Sequence, residues 1–101
     1  MSAHFDDRLL AHLQIVIVQK FRRQESFLMS WLDPMSLGDG RSAMWLTPNV
    51  PVHFKFFGSR VPAISREWLN TLTESAGSST GLIVTAEDGS FARAGKNQLD
   101  R

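Results

Sequence analysis

The chain has 101 residues, 43% of them hydrophobic and 21% charged, a composition that fits one ordinary globular domain and excludes a disordered chain. Eleven Lys and Arg against ten Asp and Glu leave a formal net charge of +1, which excludes a global field that would gather nucleic acid, though not a local basic patch. There is no cysteine, so disulfides and thiolate metal sites are excluded.

The longest uncharged run, Ser42 to Phe54, carries two prolines and a histidine and falls short of the ~18 apolar residues a membrane helix requires. The first residues include Asp6 and Asp7 and lack the basic-then-apolar pattern of a signal peptide. The expectation is a cytoplasmic protein without a membrane partner.

Asp6 is placed to cap a first helix, with Phe5 and Leu10 at the positions of a hydrophobic staple and Asp7 in the first turn, where the helix dipole favours an anion. Leu10, Leu13, Ile17 and Phe21 recur at helical spacing. The β-branched run Ile15 to Val18 suits a strand instead. The cap, and the Lys20, Arg22 and Arg23 cations at the far end, decide for the helix.

Ser26 to Leu32 reads as a strand with Phe27, Met29 and Trp31 on one face. A turn-rich stretch from Asp33 to Gly40 leads to a returning strand, Arg41 to Thr47. Pro48 and Pro51 interrupt the chain. Val52 to Phe57 then alternates most clearly of all, with Val52, Phe54 and Phe56 set against His53, Lys55 and Phe57. That pattern predicts a third strand whose His53, Lys55 and Phe57 form an exposed sheet face.

Ser65 is expected to cap a second helix, with Ile64 and Leu69 at staple positions and an apolar stripe of Ile64, Trp68, Leu69 and Leu72, ended by Gly77. Leu82 to Val84 suits a short fourth strand. From Ala86 onward the composition is polar, and residues 86–101 read as a flexible tail behind a single domain over residues 5–85. The expected fold is α+β. It is a two-layer sandwich of an antiparallel sheet of three to four strands under two helices, in the order α-β-β-β-α-β.

Chemistry is thinly signalled. His4 and His12 lack the spacing of a helical metal pair, and with His53 they read as surface or interfacial histidines, so no metal site is expected. No serine lies in Gly-x-Ser-x-Gly. Asp6 and Asp7 are accounted for by capping. Two loops, Gly38-Asp39-Gly40-Arg41 and Gly58-Ser59-Arg60, join permissive backbone to an arginine and would suit an anion if they met. Lys20, Arg22, Arg23, Arg41, Lys55, Arg60 and Arg66 are the candidate contacts for nucleic acid or an anion, beside the aromatic Phe57. No catalytic residues and no cofactor are expected.

Four stretches carry a family pattern: Phe5 to Gln14, Glu25 to Trp31, Gly40-Arg41 through Trp45-Leu46, and Phe54 through Arg60. Together they resemble a small actinobacterial family of unknown function whose members are often automatically labelled "ATP-dependent DNA ligase". The resemblance spans residues 5–85 and implies a strand before the Asp-Asp pair, expected to be missing or shortened here, where Met1 to His4 precede Phe5. The ligase label would require a nucleophilic lysine in Lys-x-Asp-Gly. The two Asp-Gly pairs, Asp39-Gly40 and Asp88-Gly89, have Leu37 and Ala86 at the lysine position, so the label has no nucleophile and is read as a misnomer. The expected function is a non-enzymatic interaction module that associates with itself or another protein, and the alternative is a nucleic-acid-binding accessory protein.

Overall fold

A computed structural model describes residues 3–35, 38 and 40–95. The first helix, α1, runs Asp7–Arg22. Asp6 caps it by accepting the Leu9 N–H at 2.8 Å. Leu9, Leu13, Val16 and Ile17 form its buried stripe, so core packing holds the β-branched run helical against its local preference.

Strand β1 (Phe27–Leu32) and strand β2 (Arg41–Leu46) form an antiparallel hairpin that pairs Phe27 with Leu46 and Leu32 with Arg41. Asp33 closes the hairpin's end, accepting the Ser42 hydroxyl at 2.5 Å. Helix α2 (Arg66–Ala76) starts at Ser65, whose Oγ accepts the Trp68 N–H, and buries Trp68, Leu72 and Ala76. Strand β3 (Leu82–Ile83) then joins the other edge of β1.

The result is an α+β fold with a three-stranded sheet in the order β2-β1-β3 and two helices. Phe27, Met29, Trp31, Leu46 and Leu82 share one sheet face, and they meet the buried stripes of α1 and α2 in a single core. Trp31 sits deepest among the aromatics, 2% exposed, with the Phe5 ring edge-on to it at 5.8 Å.

Three expectations are corrected. First, the sheet is mixed, not antiparallel, because β3 runs parallel to β1. The chain leaves β2, crosses through α2 and returns on the far side of β1 in the same direction.

Second, Val52–Phe57 joins no strand ladder. It is an extended strap, with Val52 and Phe54 packed on the core. Asp7 sets its course, accepting the Phe57 N–H and the Gly58 N–H at 2.8 Å each. This clamp ties the far end of the strap to the start of α1.

Third, the expected tail is part of the fold as far as Gly95. Leu32 donates to the Ala92 carbonyl and accepts from the Ala94 N–H, so residues 92–94 lie beside the end of β1. Ala92 and Ala94 are buried in the core. Residues 96–101 lie outside the described residues, as does Asp39 of the first glycine loop. Before the Asp-Asp pair, the described residues hold one bridge, from His4 to Gly95.

Gly81 is the glycine the fold requires. It has φ +83°, and a Cβ there would lie 2.5 Å from the Leu28 carbonyl oxygen. Gly77 ends α2 with φ −87°, so its left-handed freedom goes unused.

Candidate functional site

Because the strap crosses the core face without pairing, it leaves a groove of about 960 Å³ beneath it. Leu10, Leu13 and Ile17 of α1 form one wall, and Met29, Trp31 and Met44 form the sheet side. The Nε2 atom of His4, which lines the groove, is buried without a hydrogen-bond partner. His53, Lys55 and Phe57 are exposed, as expected, but they sit on the strap and not on the sheet.

A second cavity of about 460 Å³ lies at the other side of the α1 start, lined by Arg8, Trp68, Glu87 and Arg93 among others. Its polar groups already serve the fold. Arg8 grips the Glu87 carboxylate with both terminal nitrogens and donates from Nε to the Ala63 carbonyl. The Arg8 guanidinium also stands over the Trp68 ring at 5.4 Å, while the Trp68 indole N–H donates to the Thr85 carbonyl. The hydrogen bond from Arg8 holds the Glu87 carboxyl below its ordinary range, against the opposing effect of burial. The same bond raises the guanidinium of Arg8.

His12 beside them is fully buried, which corrects its reading as a surface or interfacial residue. The Ser65 N–H can only donate, so Nε2 of His12 accepts it, at 2.9 Å. Nδ1 therefore carries the proton and donates to the Arg8 carbonyl at 2.7 Å. Both nitrogens are committed, and the ring packs on Trp68 with centroids 4.4 Å apart. His12 is a core histidine that ties α2 to α1. No group of three metal-ligating side chains is assembled among the described residues.

The candidate cations are dispersed. Lys20 pairs with Glu25 at 3.0 Å and lies over the Phe27 ring. Arg22 and Arg23 are exposed at the C-terminal end of α1. Lys55 and Arg60 flank the Asp7 clamp at its N-terminal end, about 24 Å away for a helix of 16 residues. Arg66 is exposed at the start of α2, and Arg41 is exposed at the start of β2. Neither cavity is lined by Arg41 or Arg60, so neither brings the two glycine-arginine loops together.

What the sequence reading misplaced is the open sheet face. The face away from the helices carries Leu28, Ser30 and Leu32 from β1, with Arg41, Ala43 and Trp45 from β2. Trp45 is 63% exposed and Leu28 36%, whereas Trp31 on the covered face is 2% exposed. The two tryptophans have the same parity, and because each paired position of this hairpin joins an odd to an even residue, they fall on opposite faces. Among the described residues, strand β2 is also a sheet edge, with only β1 beside it.

A protein-family model described as "Domain of unknown function (DUF7882)" matches residues 1–87. The match stops short of the 92–94 segment that completes the pairing of β1. No curated protein and no solved structure matches the chain. No helix among the described residues is long and apolar enough to cross a membrane.

Proposed function

The chain belongs to the DUF7882 family, whose function is unknown, and from that premise we propose that it is a non-catalytic interaction module that associates with its own copies. The observation that carries this reading is the uncovered half of the hairpin. A tryptophan 63% exposed and a leucine 36% exposed share a sheet face with no helix over it, next to an unpaired edge. Apolar surface left open in this way favours association.

The polar groups argue in the same direction. His12, Arg8 and Glu87, beside the smaller cavity, are occupied by hydrogen bonds that tie α1 to the start of α2 and to the segment around Glu87. A net charge of +1 leaves little repulsion between copies. The reading as a nucleic-acid accessory protein has less support, because Lys20, Arg22 and Arg23 stand at the opposite end of α1 from Lys55 and Arg60.

Sedimentation velocity over a concentration series is the test. The expected result is a shift from one to two copies in the micromolar range. A sedimentation coefficient fixed at the monomer value throughout the series refutes the reading.

A further inference from the structure

The unpaired edge has a symmetry that names its partner. Along β1, the Ser30 carbonyl accepts the Val84 N–H, and both backbone groups of Leu32 bond to Ala92 and Ala94. Even-numbered residues of β1 therefore direct their backbone groups away from β2. By the alternation of an antiparallel ladder, Phe27, Met29 and Trp31 bond to β2, through Leu46, Met44 and Ser42. What remains on the outer edge of β2 is the N–H and carbonyl of Arg41, Ala43 and Trp45. These three residues are centred on Ala43.

We infer that β2 pairs antiparallel with β2 of a second copy, in the register that sets Ala43 opposite Ala43. This inference rests on reading the chain as self-associating. A two-fold axis through that point satisfies every outward backbone group at once, making about six hydrogen bonds between the strands. No shift of register does so. The same axis places Arg41 of each copy opposite Trp45 of the other, on the open face, where a guanidinium can lie over an exposed indole. Ala43 between them is small enough to leave that contact clear.

Two observations favour a second copy over a different partner. The edge is complementary to itself, in backbone pattern and in its cation and aromatic ends. Residues 42–46 contain no lysine, no proline and no charge, and the one charged residue of the edge, Arg41, falls opposite Trp45 in this register. The chain's own candidate for this edge, the strap, forms no ladder with β2, and its Phe57 and Gly58 N–H groups bond to Asp7 instead.

Four variants test the register, and the absence of native cysteine makes the comparison of two of them direct. Ala43→Cys would put two thiols on Cα atoms ~5.5 Å apart, within disulfide range, so mild oxidation should convert most of the chain to a covalent dimer. Val50→Cys, exposed but off the axis, should stay mostly uncoupled. Ala43→Pro removes an N–H that the monomer does not use, so it should fold and sediment as a monomer. Trp45→Arg sets cation against cation twice and should weaken the dimer at least ~10-fold.

A wild-type dimer with efficient Ala43→Cys coupling and a monomeric Ala43→Pro establishes the register. If Ala43→Pro fails to fold, coupling yield relative to Val50→Cys decides. A wild-type dimer in which Ala43→Cys couples no better than Val50→Cys overturns the register and leaves self-association standing. A wild-type monomer overturns both.

Discussion

Replacing His12 with phenylalanine isolates one hydrogen bond between the helices. The ring keeps its bulk and its place against Trp68, but Nε2, the acceptor of the Ser65 N–H, is lost. The Arg8 carbonyl loses the Nδ1 proton as well, though it retains its place in the helix ladder. Leaving a part-buried amide without an acceptor costs ~1–2 kcal/mol, at the lower end of the range for buried donors because the site is not wholly dry. For a domain of this size each kcal/mol moves Tm by roughly 4–8 °C, so His12→Phe should lower Tm by about 4–16 °C. His12→Ala adds a cavity in a fully buried position and should cost more, ~3–4 kcal/mol. Thermal melts followed by circular dichroism give the order, and amide exchange gives the location. The Ser65 amide should exchange slowly in the wild type and quickly in His12→Phe. A melt within 1 °C of wild type, with the Ser65 amide still protected, would refute the assignment of His12 as the tie between α1 and α2.

Three further outcomes follow from the same geometry. Gly81→Ala meets both a left-handed φ and the Leu28 carbonyl, and should destabilise by at least ~2 kcal/mol in a denaturant titration, whereas Gly89→Ala has open space around it and should lose only the cost of its own φ. Asp7→Ala releases Phe57 and Gly58, so limited proteolysis should cut within residues 51–60 much faster while the Asp6 cap still holds α1. Glu87 and Asp88 both have carboxyls depressed by hydrogen bonds, from Arg8 and from Ser90 respectively. Their contribution is therefore complete above the unfolded carboxylate pKa and is lost as pH falls through the folded values. Being exposed, the pair contributes modestly, and Glu87→Gln should flatten only part of the acid limb of the stability curve.

The sequence carried much of the fold and little of the site. Caps at Asp6 and Ser65 fixed both helix starts, and alternation separated the faces of β1 and β2 correctly. Alternation failed at Val52–Phe57 because period two reports which side chains are buried, not whether the backbone has a ladder partner. Val52 and Phe54 do face the core, and only the pairing is missing. What ties the strap's far end is Asp7, 50 residues earlier in the chain, and no local pattern reports such a contact. Ala92 and Ala94 escaped notice for another reason. Alanines among polar neighbours make no hydrophobic signal, although both are buried in the core. His12 was legible in part, since it falls between Leu9 and Leu13 on one side and Val16 on the other, along the stripe that α1 buries.

Asp7 also bears on how the chain reaches its folded state. Its clamp joins residues 50 apart, Arg8 reaches 79 residues to Glu87, and Arg93 reaches 60 back to Asp33. Closures of this length lose loop entropy before any contact rewards them, and they place folding in roughly the millisecond-to-second range. The β1–β2 hairpin, by contrast, is a local structure contained within Phe27 and Leu46. A hairpin formed ahead of the strap and the 92–94 segment would expose Trp31 and Trp45 together, on both faces at once. The strap's slow arrival would therefore govern how long newly made chains remain vulnerable to aggregation.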